Sequence, residues 1–189
     1  MPEDISVAMI RPSLQSVPSY PLPDGYRCRF FRPGETLIWA QIECAAGEFA
    51  SVAAAASHFE REFGPFAEEL TQRCLFMEET GGRAVGTATA WYNPTFLGEA
   101  YGRLHWVAIH PDFQGRHLGK PLVSTALAVL AARHPRAYLT SQTSSARAIG
   151  IYLDLGFEPL LKTPGWEEAW GMLAASTQHL ALRRFLAQA

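Results

Sequence analysis

A chain of 189 residues with 48% apolar and 18% charged residues suits one globular domain with a sizeable core. The net charge of −2 excludes the strongly basic composition that nucleic-acid binding normally requires. The three cysteines lack metal-ligand or disulfide spacing, no apolar run approaches the ~20 residues of a membrane span, and no hydrophobic signal core is present. We therefore expect a cytoplasmic protein without a metal, a nucleic-acid partner or a membrane partner.

Residues 1–25 contain five prolines and are predicted to form an extended arm outside the domain. Apolar residues between the prolines favour packing of this arm on the surface over a loose terminus. Asp24 and Gly25 form a turn signal. The sequence therefore predicts a single domain over 26–189 that begins with a strand at Tyr26.

Hydrophobic periodicity predicts alternating strands and helices after this arm. Strands are predicted at 26–31, 74–77, 84–91, 104–110, 137–140 and 157–161. Helices are predicted at 35–44, 52–63, 120–132, 145–155 and from 166 to the end, the last being an addition to the domain. Residues 96–102 have the glycines and aromatic residues of a loop. This order predicts an α+β fold with a mixed sheet.

The stretch from 104 to 120 is the candidate binding site. An apolar strand is broken by Pro111 and Asp112, and a glycine-bearing loop and an amphipathic helix follow. A strand, a glycine loop and a helix in this order aim backbone N–H groups and a positive helix end at an anion. The loop lacks the G-x-G-x-x-G and G-K-[ST] patterns. A phosphorylated ligand is one interpretation, and a loop that merely turns tightly is the other.

Two sequence blocks give this site a family resemblance. The first, Gln114-Gly115-Arg116-His117-Leu118-Gly119, follows Ile109-His110-Pro111. The second places Ser145, Ala148, Ile149, Tyr152, Gly156 and Phe157 at fixed spacing. Together they resemble the [RQ]-x-x-G-x-[GA] and N-x-x-A-I-x-L-Y-x-x-x-G-F patterns of the GNAT superfamily of acetyl-CoA-dependent N-acetyltransferases. The resemblance covers about residues 26–161 and implies a mostly antiparallel central sheet flanked by helices.

This sequence departs from the family patterns at two positions. His117 stands where the first pattern has its central glycine, and Ser145 stands where the second has asparagine. A residue with a Cβ is strained at positive φ. The loop therefore adopts a different turn, or the imidazole of His117 contacts a phosphate, or that side chain points to solvent.

The resemblance implies transfer of acetyl from acetyl-CoA to a primary amine of a small molecule or peptide by direct attack. The pyrophosphate of CoA would lie on the backbone N–H groups of residues 115–120, and the pantetheine arm would pair with the adjacent strand edge. A strand N–H would polarise the thioester carbonyl. The expected cofactor-binding residues are Val107, Ile109, Gln114, Gly115, Arg116, His117, Leu118, Gly119, Lys120 and Ser145.

Tyr152 and His105 are the expected catalytic residues. Tyr152 matches a family tyrosine that protonates the departing thiolate, although its ring could simply pack against the sheet. Period-two alternation puts His105 on one strand face with Val107 and Ile109, where its imidazole could deprotonate the amine. A bulge between 106 and 109 would reverse this relation, and a satisfied strand histidine is the alternative. The other candidate bases are His110, Glu99 and Glu48.

The acceptor amine is the least determined part of the prediction. Aromatic and acidic residues could wall a pocket for a cationic amine, or could equally belong to the core. A non-catalytic acyl-CoA-binding or regulatory module with the same fold is the second function class, motivated by His117 and Ser145. The resemblance also leaves a homodimer open. The candidate wall residues are Trp39, Glu43, Glu48, Phe49, Trp91, Tyr92 and Trp106.

Overall fold

The computed structural model describes residues 4–162 and 165–188. Its strands are β1 (Ser6–Arg11), β2 (Tyr26–Phe30), β3 (Cys74–Glu79), β4 (Ala84–Phe96), β5 (Glu99–Ile109), β6 (Ala137–Gln142) and β7 (Glu158–Pro159). Its helices are α1 (Thr36–Ala46), α2 (Val52–Phe63), α3 (Ala67–Leu70), α4 (Gly119–Ala131), α5 (Ala146–Asp154), α6 (Trp166–Thr177) and α7 (Leu180–Leu186). None of these helices is long and apolar enough to cross a membrane.

One mixed sheet contains all of these strands, in the order β2-β3-β4-β5-β6-β1-β7. Every neighbouring pair is antiparallel except β5 and β6, which are parallel. Alternate residues of β3 face two different cores. Leu75 and Met77 pack in a core with α4 and α5, whereas Cys74 and Phe76 pack in a core with α1 and α2. The α+β prediction and the mostly antiparallel sheet with flanking helices are therefore confirmed.

The expectation of an arm over residues 1–25 missed a strand. β1 lies inside the sheet, antiparallel to β6 on one side and to β7 on the other. Its sequence shows no alternation because both faces are covered, and Met9 is 0% exposed. The proline-rich remainder packs on the surface as expected, where the hydroxyl of Ser124 donates to the carbonyl oxygen of Pro18 at 2.7 Å.

Two other predicted boundaries were wrong. Residues 96–102 are not a loop, because β4 and β5 continue to a tight turn at Leu97 and Gly98. The ring of Phe96 stacks on Tyr138 with centroids 3.7 Å apart, which explains its place in a strand. The predicted C-terminal helix is two helices, α6 and α7, separated at Gln178, where φ is +52°.

The sheet opens between β5 and β6. These parallel strands pair only at Gly102 with Ala137 and at Arg103 with Tyr138, and then separate. β5 also contains a bulge. Thr87 pairs with Ala108 and Thr89 pairs with His105, so two residues of β5 lie opposite Ala88 alone.

We expect the substitution Met9→Ala to lower the free energy of unfolding by about 2–5 kcal/mol, because it leaves a cavity at a fully buried position. Urea unfolding measures the loss. Ser6→Ala, at an exposed position of the same strand, is the control. Equal stability of the two variants would contradict the interior position of β1.

Candidate active site

A cleft of about 740 Å³ lies where β5 and β6 separate, within the size range of small-molecule sites. It is lined by the end of β5, the glycine loop, the start of α4, and α5. Ala46, the last residue of α1, and Glu48, two residues later, complete the lining. Most of the residues predicted from the sequence line it together. They are Val107, Ile109, Gln114, Gly115, His117, Leu118, Gly119, Lys120, Ser145 and Tyr152.

The glycine loop adopts two left-handed residues before α4 begins. Gly115 has φ +79° and His117 has φ +59°. The histidine therefore keeps a left-handed conformation at a strain of roughly 1–2 kcal/mol, and its residue lines the cleft. A Cβ at Gly119 would lie 2.6 Å from Cδ1 of Ile151, so glycine at this position allows α4 and α5 to approach closely.

The N-terminus of α4 offers an anion site at the cleft. The N-cap residue Leu118 makes no side-chain cap, and the first N–H groups of a helix have no intrahelical partner. Gly119 and Lys120 both line the cleft at this end. These unpaired N–H groups and the helix dipole together favour a phosphate group.

An arginine lines the cleft, but it is Arg147 and not the expected Arg116. Arg116 does not line the cleft: its guanidinium lies 4.6 Å from the ring centroid of Phe113 and donates to the carbonyl oxygen of Asp112 at 3.0 Å. Arg147, which sequence reasoning missed, lines the cleft from the first turn of α5. A cation in that position is disfavoured by the helix dipole unless an anion lies near. Its only signal was its place inside the second motif block.

Lys120 has a fixed partner. Its Nζ atom lies 2.8 Å from Oδ2 of Asp154. The other oxygen of this carboxylate, Oδ1, lies 3.1 Å from Nε2 of His179. The hydrogen bond to Asp154 raises the pKa of Lys120. Arg147, by contrast, forms no ion pair with any residue of the described ranges 4–162 and 165–188. It is therefore the cation of the cleft most available to a ligand.

The bulge in β5 overturns the expected placement of His105. Because Ala108 and His105 are the residues paired with Thr87 and Thr89, they share one face of the sheet, and Val107 lies on the other. Nε2 of His105 lies 2.6 Å from Oε1 of Glu62, and the residue lines a separate pocket of about 340 Å³. It does not line the cleft that contains Tyr152.

Glu48 is the one candidate base that lines the cleft. Glu99 instead pairs with Arg136 at 3.0 Å near the far end of β5, and His110 lies 3.3 Å from Arg83. Burial raises the pKa of Glu48, and the nearby charge of Asp4 raises it further. A higher pKa suits a group that must accept a proton near neutral pH.

Asp4 comes from the segment just before β1 and bonds Ser144, a residue of the cleft wall. Its Oδ1 atom accepts the backbone N–H of Ser144 at 3.0 Å, and its Oδ2 accepts the hydroxyl of Ser144 at 2.9 Å. Ser144 and Ser145 both line the cleft. The N-terminal segment thus adds a carboxylate to a site that the motif blocks alone did not predict.

Tyr152, which lines the cleft, and Glu43, which lies behind it, are both buried near Glu48. Burial raises the pKa of Tyr152, and the charges of Glu43 and Glu48 raise it further, so its hydroxyl stays protonated at neutral pH. Glu43 is 0% exposed, and neither carboxylate oxygen has a hydrogen-bond partner among the described residues. Burial raises the pKa of Glu43 well above 4.5, with a further contribution from Glu48. Of the other expected wall residues, Trp39 and Trp91 belong to the core.

The raised pKa of Glu43 predicts a pH-dependent stability. A carboxyl group that titrates higher when folded contributes stability that is present below its unfolded pKa of 4.5 and is lost as the pH rises through the folded value. We therefore expect Glu43→Gln to gain stability relative to wild type above pH 4.5, by up to ~1.4 kcal/mol per pH unit. Urea unfolding from pH 4 to 8 measures it.

Glu60→Gln, on α2, controls for the loss of one surface carboxylate. Parallel stability curves for wild type and Glu43→Gln would show that Glu43 titrates normally in the folded protein.

Comparison with known proteins agrees with this site. The model of the acetyltransferase (GNAT) family matches residues 35–157. A mycothiol acetyltransferase of Streptomyces bingchenggensis is 29% identical over 156 residues, which is 77% of this chain and 47% of that protein. A mycothiol acetyltransferase of Streptomyces griseus is 29% identical over 157 residues, 72% of this chain and 44% of that protein. This chain thus spans about half the length of these relatives.

Solved structures show the same fold. A GCN5-related N-acetyltransferase from Sphaerobacter thermophilus superposes with a TM-score of 0.68 at 21% identity, covering 83% of this chain and 48% of that one. A GNAT-family acetyltransferase from Colwellia psychrerythraea gives a TM-score of 0.62 at 10% identity, covering 83% and 54%. The family match spans the strand, loop and helix that build the cleft, and the chain belongs to the GNAT acetyltransferase family.

Proposed function

We propose that this chain is an N-acetyltransferase that moves acetyl from acetyl-CoA to a primary amine of a small molecule or peptide. The observation that carries the proposal is one cleft lined by the glycine loop, the free end of β5 and the hydroxyl-bearing Tyr152. Acetyl transfer also agrees with the names of the two Streptomyces relatives.

The anion site at α4 would hold the pyrophosphate of CoA. The N–H groups of Gly115 to Lys120 would donate to it, and Arg147 would add a cation from the opposite wall. The amide-rich pantetheine arm would lie along β5 where β6 has moved away, since unpaired strand groups there can pair with another extended chain. A strand N–H near Val107 or Ile109 would then bind the carbonyl oxygen of the thioester.

Proton transfer would take place at the acidic end of the cleft. A primary amine with a pKa of ~10 arrives as an ammonium ion, and Glu48 would take one proton from it. The nitrogen then forms a bond to the carbonyl carbon, and the C–S bond breaks as the intermediate collapses. The departing thiolate would take the proton of Tyr152, which would be replaced by the second proton released from the nitrogen.

Acetyl-CoA should bind the loop, and a new negative charge there should weaken binding. We compare His117→Asp with His117→Asn, because both residues tolerate the left-handed conformation and they differ only in charge. Calorimetry should show that the Asp variant binds acetyl-CoA at least ~10-fold more weakly than the Asn variant, through repulsion of the phosphates. Equal acetyl-CoA affinities of the two variants would show that the phosphates do not bind at this loop. No binding by wild type would exclude both the enzyme and a CoA-binding module.

Tyr152→Phe should lower kcat by ~10²–10⁴-fold and leave acetyl-CoA affinity nearly unchanged, because only the hydroxyl is lost.

Glu48→Gln should lower kcat/KM by a factor of the same size and remove the acidic limb from the pH profile of kcat/KM. Release of CoA thiol with a panel of amines is the assay. Tyr138→Phe, which removes a hydroxyl bonded to Asn93 outside the cleft, is the control.

Unchanged turnover in Tyr152→Phe would reduce Tyr152 to a packing residue. Wild-type binding of acetyl-CoA without thiol release on any amine would support the non-catalytic module instead.

A further inference from the structure

The geometry points to Glu62 as a positioning residue that holds the β5 bulge in the form the cleft requires. This inference rests on the proposed function, because the bulge governs which residues of β5 face the acetyl-CoA cleft. Glu62 lies at the end of α2, outside that cleft, and would act only through His105 and Trp106.

The bulge depends on an unfavourable backbone conformation. Trp106 has φ +47°, a left-handed value that a large side chain rarely adopts. Such residues persist when the surrounding structure over-determines them. Without the bulge, His105 and Val107 would share one face of β5. With it, Val107 and Ile109 line the cleft and His105 faces α2.

One carboxylate bonds both residues at the start of this bulge. Oε2 of Glu62 accepts the indole N–H of Trp106 at 2.7 Å, and Oε1 lies 2.6 Å from Nε2 of His105. Nε2 of His58, one turn earlier on α2, lies 2.9 Å from Oε2. The carboxylate thereby links α2 to two successive residues of β5, His105 and Trp106. Both side chains must point toward α2 to make these bonds.

Aromatic packing supports the same orientation of Trp106. Its ring centroid lies 5.4 Å from that of Trp39, 5.3 Å from Phe49 and 5.0 Å from His58. Packing restrains the plane of the ring, but only Glu62 among the described residues accepts its N–H. The carboxylate therefore selects the orientation of the indole.

The charge of Glu62 is maintained at physiological pH. Burial opposes it, but the hydrogen bonds from His105, Trp106 and His58 lower the pKa of Glu62. Burial lowers the pKa of His105 by more than the hydrogen bond to Glu62 raises it, so His105 is neutral and donates its Nε2–H. Arg61 and Arg103 complete the charged surroundings of this pocket. An ionised acceptor makes stronger hydrogen bonds than a neutral one.

The cluster has no second use that the structure supports. Within the ranges 4–162 and 165–188, no three histidine, cysteine or acidic side chains are arranged to hold a metal ion. The imidazoles and the indole are instead satisfied by the carboxylate itself. Two of the three bonds of the carboxylate go to the bulge residues, and the third, from His58, holds the carboxylate on α2.

Kinetics of Glu62→Ala, Glu62→Gln, Trp106→Phe and the double variant Glu62→Ala/Trp106→Phe test this role. Glu62→Ala should lower kcat ~10–100-fold while CoA affinity, to which the phosphate contacts of the loop and α4 contribute most, changes less than ~3-fold. Glu62→Gln keeps a carbonyl acceptor for the indole and should recover most of kcat. The double variant should lose no more than the worse single variant, because both remove one interaction. Glu60→Gln on the same helix is the control and should match wild type.

A readout independent of turnover separates this inference from the proposed function. The indole N–H of Trp106 should exchange slowly with solvent deuterium in wild type and rapidly in Glu62→Ala, as followed by NMR. Slow exchange in a wild-type protein that transfers no acetyl would overturn the proposed function and still support the role of Glu62 in holding the bulge. Rapid exchange in folded wild type would overturn the role of Glu62. A folded Glu62→Ala variant with wild-type kcat, or additive losses of kcat in the double variant, would overturn it as well.

Discussion

The separation of β5 from β6 is the constraint on which the site depends. A parallel pair that stops after two residue pairs leaves strand N–H and carbonyl groups unpaired inside a sheet, and such groups need another partner. A closed sheet would bury the end of β5 and leave no cleft. The gap is tolerable because each strand is held on its other side, β5 by β4 and β6 by β1. The N-terminal strand therefore stabilises an opening that it does not itself line.

The residues that line the cleft carry charges of both signs. The N–H groups at the start of α4 and Arg147 favour an anion, whereas Glu48 is acidic and has Asp4 and Glu43 nearby. A phosphorylated cosubstrate would be attracted to the first group, and a cationic amine would be attracted to the second. Burial raises the pKa of the Tyr152 hydroxyl, and the charges of Glu43 and Glu48 raise it further. In the proposed reaction, this charge pattern would favour the cosubstrate beside Arg147 and the amine beside Glu48.

Local sequence was sufficient for the glycine loop and the second motif block, because loop turns and helix starts depend on neighbouring residues. It was insufficient wherever a distant contact decides. β1 is a continuous apolar run beside many prolines, and only its pairing with residues 137–142 makes it an interior strand. The face of His105 depends on a bulge held by Glu62, 43 residues away in sequence. Asp4 is held beside the cleft by its bonds to Thr143 and Ser144, on the far side of the chain in sequence.

Glu43, Glu48 and Tyr152 lie close enough together to affect one another's pKa. A buried carboxyl without a hydrogen-bond partner is unfavourable, and an apolar residue of similar size would stabilise the core more. Such groups cluster where a protein uses shifted pKa values. The pKa of Glu43 depends on Glu48, and that of Tyr152 depends on both carboxylates, so a proton gained by one changes the affinity of the others for theirs. In the proposed reaction, Glu48 would lose its charge on taking a proton from the amine and would no longer oppose ionisation of Tyr152. Deprotonation of the acceptor and protonation of the leaving thiolate would then be coupled through this cluster, and an apparent pKa of that reaction would belong to all three groups.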